Sequence, residues 1–129
     1  METAVLERLE QRTYDYIVFL LLSIKDVPRA WAEAHRTGLD DDGLWTQLVD
    51  AYQQSNPAAV IPVLQRLVES DLQVADVRNY KSAGRRLVQL RGLATDTGQT
   101  DLVAALISDI RYRHRNRPRL LQELDRSGC

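Results

Sequence analysis

Residues Leu44–Val68 read "LWTQLVDAYQQSNPAAVIPVLQRLV", a helix, a break and a second helix. Before the break, Leu44, Trp45, Leu48 and Tyr52 recur at three- and four-residue steps, so they share one face of a helix and could not share one face of a strand. Ser55-Asn56-Pro57 then ends the first helix and starts the next. The Asn56 side chain can accept from a free amide of the first turn, and Pro57 has the fixed φ of a first helical residue. Val60, Val63, Leu64, Leu67 and Val68 form the next apolar stripe, with Pro62 inside it expected to bend this helix or delay its start. A turn this short makes the two helices antiparallel neighbours. Trp45, Leu48, Tyr52 and the small Ala59 also fall at the spacing of a tetratricopeptide hairpin.

The same grammar holds outward in both directions. A first helix is expected from about Ala4 to Ile24, carrying Val5, Leu9, Tyr16, Phe19, Leu20 and Ile24. Its second half is apolar nearly all round, which predicts a central, covered position. Asp26 caps a second helix with Pro28 in its first turn, ended by Gly38. Asp40, Asp41 and Asp42 suit the positive end of the helix that carries Trp45. Beyond Val68, Asp76 starts a fifth helix bearing Val77, Tyr80, Ala83, Leu87, Leu90 and Leu93 and closed by Gly98. Thr100 is expected to cap a sixth helix with Leu102, Val103, Leu106, Ile107 and Ile110, and a short helix from Leu120 to Arg126 follows Pro118. No segment alternates apolar and polar residues as a half-buried strand does. The expectation is one all-α domain over residues 1–129, a tetratricopeptide-like stack of antiparallel helical hairpins with six to seven helices.

Composition narrows the function classes. The chain has 129 residues, 44% hydrophobic and 27% charged, in the range of a folded globular domain. Its one cysteine, Cys129, excludes a disulfide framework and a thiolate-built zinc site. The two histidines, His35 and His114, lie far apart, and Asp40-Asp41-Asp42-Gly43 lacks the spaced oxygen ligands and terminal glutamate of a calcium loop. No Gly-rich phosphate loop and no nucleophile motif is present, so the reading is a non-enzyme with no catalytic, cofactor or metal residues. The apolar run Tyr16–Leu22 is far short of a membrane span, and the mixed charges before it are unlike a secretion signal. A cytoplasmic protein with no membrane partner is expected.

The stretches "AWAEAHRTGLDDDGLWTQLVDAYQQSNPAAVIPVLQRLVES" and "NYKSAGRRLVQLRGLATDTGQTDLVAALISDIRYRHRNRPRLLQEL", within about residues 28–125, resemble the helical C-terminal region of bacterial SWIM zinc-finger proteins. Trp31, Ala34 and Gly38 match an A-W-x-x-A…G segment, Trp45 and Leu48 a W-x-x-L helix, and Pro57 the start of the next. Tyr80, Ala83, Leu87, Leu90 and Gly98 match a Y-x-x-A…L…L helix ending in glycine. Arg113, His114, Arg115 and Arg117, then Leu120, Leu121 and Leu124, match a basic last helix closed by leucines. The resemblance implies a helical interaction region. The C-x-C and C-x-H ligands of the family's zinc element are missing, so zinc binding is not implied. The chain reads either as the C-terminal part of a longer protein or as a relative without the finger.

One segment stands out by charge. "RYRHRNRPRLLQEL" runs from Arg111 to Leu124 with an arginine at every second position up to Arg119. Helical spacing spreads these arginines: His114, Arg117 and Leu121 continue the apolar stripe, Arg113 lies on the edge of that stripe, and Arg111, Arg115 and Arg119 fall on another face. Cations in a last turn offset the negative helix end, and residues 1–75 carry net −6 against +5 for residues 76–129. The leading reading is therefore a solvated helix end on a protein-interaction module whose partner is a protein. Arg111, Arg113, Arg115 and Arg119 are the candidate contacts to an acidic partner or, in the alternative reading, to nucleic-acid phosphates. A homo-oligomer built on the charge asymmetry or on the first helix is a third reading.

Overall fold

The structure is a computed structural model that describes residues 2–129, with side chains from residue 8 onward. Val5, counted above in the first apolar stripe, falls outside the described side chains. Among the described residues there are seven α-helices, one π-helical turn and no strand. The helices are α1 (Glu2–Val18), α2 (Val27–Thr37), α3 (Asp42–Tyr52), α4 (Pro57–Leu72), α5 (Val77–Thr97), α6 (Thr100–Arg113) and α7 (Pro118–Arg126). The π-helical turn, Phe19–Ser23, continues α1.

Side-chain caps start four of the helices. Asp26 accepts from Arg29 N at 3.3 Å, Asp41 from Leu44 N at 2.9 Å, Asn56 from Ala59 N at 3.3 Å and Asp76 from Arg78 N at 2.7 Å. Gly38 and Gly98 end α2 and α5 at φ 65° and 71°, a left-handed conformation in which a Cβ would be strained. Thr100 is not a cap: it is the first residue of α6, and Gln99 before it makes no side-chain cap bond. Pro62 neither delays nor interrupts α4, which begins at Pro57 and continues to Leu72 with Pro62 exposed. Leu102 departs from its expected stripe at 46% exposure, whereas Val103, Ile107 and Ile110 are buried.

Two compact units divide the chain, one running to Ser55 and the other comprising Asn56–Cys129. In the first, α2 packs on α3, on α1 and on the π-turn. Its buried apolar residues include Ile17, Leu20, Ala30, Trp31, Leu44, Trp45 and Leu48. In the second unit α5 is the central element, with α4, α6 and α7 all packed on it. Leu64, Leu67, Val68, Leu87, Leu90, Ile110, Leu120 and Leu124 fill that core. Gly84 marks where α7 crosses α5, since a Cβ there would lie 2.5 Å from Ser127 Oγ. Leu44–Val68 runs from the first unit into the second, so the hairpin read there belongs to neither unit alone. Consecutive helices pair within units as α1 with α2, α2 with α3, α4 with α5 and α5 with α6.

Candidate interaction surfaces

The structure sends the arginines of the basic segment to different neighbours. α6 ends at Arg113, residues 114–116 form a turn, and Arg117 leads into α7. Arg111 donates through Nε to the Cys129 carbonyl at 2.9 Å and through Nη2 to Asp125 at 2.7 Å, tying the end of the chain to α6. Arg113 bridges two carboxylates. It reaches Glu69 of α4 at 2.6 Å and Asp109, one turn earlier, at 2.7 Å. Hydrogen bonds to Glu69 and then Asp109 raise its pKa above the ordinary arginine value, so its charge belongs to this network. Arg115 lies over the Tyr112 ring, 4.5 Å from its centroid, and donates to the Tyr112 carbonyl at 2.9 Å. Arg119 is exposed in the first turn of α7 and has no ion pair among those described. Arg117 donates to the Leu72 carbonyl at 3.0 Å, satisfying an acceptor at the end of α4.

His114 sits among these arginines and is half-buried, but its Nε2 is enclosed without a hydrogen-bond partner. The sequence placed His114 on the apolar stripe; the structure gives that inner placement and leaves this nitrogen unpaired. Burial lowers its pKa, and Arg117 and Arg113 lower it further against the opposing pull of Glu69 and Asp109. The imidazole is thus held toward its neutral form.

The aromatic residues of the first unit serve packing. Trp31 meets Trp45 edge-on at 5.5 Å between centroids and lies 4.9 Å from Tyr52 and 5.0 Å from His35. Trp45 Nε1 donates to the Leu39 carbonyl at 2.7 Å, fastening the loop between α2 and α3 to the rings. Beside that loop, Leu9, Glu10 and Tyr14 of α1 face Gly38, Asp40 and Asp41 across an open groove of about 690 Å³. Tyr112 is 68% exposed, as a surface residue, while Tyr14 is half-buried.

The first helix, read above both as a covered core element and as a face for self-association, presents another surface. The apolar end of α1, expected to be covered, leaves Tyr16 40%, Phe19 48%, Leu22 57% and Ile24 53% exposed. Only Ile17, Leu20 and Leu21 of that stretch are buried. The backbone explains part of this. Ile24 N bonds to the Phe19 carbonyl at 3.1 Å and Asp26 N to the Leu20 carbonyl at 2.8 Å, so the helix exits through a widened turn. Lys25, a non-glycine at φ 60°, then redirects the chain into α2. The run of apolar residues on all sides was the available signal. A unit of three helices has too few neighbours to cover such an end all round.

Among the described residues no group of His, Cys, Asp and Glu is placed to hold a metal ion, and no helix is long and apolar enough to cross a membrane. Compared with known proteins, the chain matches no family model, no curated protein and no solved structure.

Proposed function

We propose that the chain is a non-catalytic protein-interaction module, related in its helical hairpins to tetratricopeptide units and to the helical region of bacterial SWIM zinc-finger proteins, and that it works in the cytoplasm. The observation that carries this reading is the exposed apolar stretch where α1 passes into the π-helical turn, with Tyr16, Phe19 and Leu22 exposed at three-residue steps and Ile24 exposed just beyond. Clustered exposure of that kind marks a surface used in contact, whereas isolated exposed apolar residues need no explanation. Aromatic and aliphatic anchors of this size supply most of the affinity in helix-mediated recognition. Pull-down from a cell lysate with the wild-type chain and with Leu22→Asp tests it. Proteins retained by the wild type and lost by the variant support the reading; identical sets from both overturn it.

A second reading, nucleic-acid binding, draws on a specific group of cations. Arg111 and Arg113 are engaged in ion pairs, which moves the weight of this reading to other residues. Arg78, Lys81 and Arg85 form an exposed i, i+3, i+7 row on α5 with no ion pair among those described, and Arg119 is exposed on α7, which packs on α5. Binding of a labelled oligonucleotide over a salt series, with Arg85→Ala and Arg119→Ala, tests it. A steep salt slope reduced by about one in each variant is the expected signature.

A further inference from the structure

Charges within Asn56–Cys129 pair off unevenly. Five of its eight carboxylates are in ion pairs: Glu69 and Asp109 with Arg113, Asp71 with Arg86, Asp125 with Arg111 and Glu123 with Arg126. Asp76 caps the start of α5, while Asp96 and Asp101 lie at the other end of α5 and the start of α6. On the basic side, Arg91 and Arg117 donate to carbonyl oxygens, Arg115 lies over Tyr112, and Arg66 is engaged as well. Arg78, Lys81, Arg85 and Arg119 remain, exposed and with no ion pair among those described.

These four sit on two adjoining helices. Arg78, Lys81 and Arg85 follow one another at three and four residues, so they share one side of α5 and span about 10 Å. α7 packs on α5. Arg117, which leads into α7, reaches Leu72 five residues before α5 begins, and Ser127 beyond its other end meets Gly84, directly before Arg85. Arg119 stands in the first turn of α7, which opens without a side-chain cap, so the positive helix end adds to its charge. The carboxylates nearby are already occupied. Asp76 accepts from Arg78 N at 2.7 Å, and Glu123 is buried and paired with Arg126.

We propose that this α5–α7 surface takes the phosphate backbone of double-stranded DNA without regard to base sequence. This rests on the nucleic-acid reading above and names the form of nucleic acid. The surface offers charge and little else. Among the described residues, Val88 is the exposed large apolar residue of α5 and α7 has none. Neither helix exposes an aromatic ring, since Tyr80 is buried and α7 contains no aromatic residue. A single strand held without stacking platforms, or an acidic peptide held without apolar anchors, would have to be ordered by charge contacts alone. A duplex is ordered already and carries one charge per ~1.7 Å of its axis, with phosphates ~3.4 Å apart along each strand. Three such steps match the length of the Arg78–Arg85 row. Double-stranded RNA is held through its 2′-hydroxyls as well, which a row of cations does not read. Contacts to phosphates alone position a duplex and carry no base information.

Fluorescence anisotropy of the full chain tests this with a labelled DNA duplex, its separated strand and an RNA duplex of the same sequence, and with poly-glutamate as competitor. The wild type is expected to bind the DNA duplex most tightly and two unrelated DNA sequences equally. Its affinity should fall about a hundredfold between about 50 and 200 mM salt, as four phosphate contacts require. Lys81→Gln and Arg119→Gln should each lower the salt slope by about one with far-UV helicity unchanged. Arg115→Gln removes the same charge from outside the surface and should leave the slope as it is. The two variants are read separately, so a loss of helicity in one leaves the other to decide. A slope indifferent to both overturns the proposal, as does displacement of DNA by poly-glutamate at equal charge. Tighter binding of the single strand or the RNA duplex removes double-stranded DNA and leaves the nucleic-acid reading standing. No binding to any of the three at low salt removes that reading too.

Discussion

Arg111 and Arg113 sit two residues apart and serve different neighbours, which is what a 200° separation on a helix demands. Their charge was legible in the sequence; their partners were not, because Glu69 and Asp125 lie 44 and 14 positions away and meet them only through packing. Arg113 has two carboxylates, yet its side chain is 40% exposed and water screens both. Arg113→Ala should therefore cost only about 1 kcal/mol in urea unfolding. Arg86 has one carboxylate in its ion pair, Asp71 at 2.9 Å, but those side chains are only 14% and 16% exposed. Arg86→Ala leaves that carboxylate under-solvated and should cost more, about 2 kcal/mol. His114 adds a pH dependence whose sign follows from its lowered pKa. The unfolded chain takes up a proton near its ordinary value of about 6.5, which the folded chain resists. Its contribution is full above that pH and is lost as pH falls toward the depressed folded value. The thermal midpoint should drop in the wild type as pH falls below about 6.5, and His114→Gln should remove that part of the drop.

At the scale of elements, the boundaries followed local chemistry and were readable for that reason. Asp26, Asn56 and Asp76 cap helices where the sequence placed them, and Gly38 and Gly98 end helices through a backbone conformation that glycine alone adopts freely. What escaped depends on surroundings. Leu102 occupies a stripe position by spacing and remains exposed, and the apolar end of α1 gives no local sign of its widened turn. Pro62 shows both sides. The sequence marks it as a helix breaker, yet apolar residues flanking it, Val60, Ile61, Val63 and Leu64, are buried and hold α4 in register. The missing N–H remains a cost that packing offsets. Because Pro62 itself is exposed, Pro62→Ala should restore that bond without disturbing the core and stabilise the protein by about 1–3 kcal/mol. Chemical denaturation checks this; a destabilised variant would mean that the proline shapes α4 for its neighbours.

At the scale of the whole molecule, the two units differ in the sign of their charge. The first unit, to Ser55, carries five Lys/Arg against ten Asp/Glu, and Asn56–Cys129 carries twelve against eight. Composition gave the polarity, and periodicity gave the helices. The division lies at Ser55-Asn56-Pro57, where local reading placed the turn of a hairpin; a breaker between two helices carries the same residue types whether it turns a hairpin or divides two units. The second unit has what a self-standing core requires. A 21-residue central helix, α5, is packed by three others, and Arg111 and Arg91 fasten the last residues to α6 and α5. Its ion pairs Arg86–Asp71, Arg113–Glu69 and Arg111–Asp125 all close within residues 56–129. Residues 56–129 produced alone should therefore be helical by circular dichroism and unfold in one cooperative transition. A fragment that is helical but melts without a transition would show that α4 to α7 depend on the first unit for fixed packing.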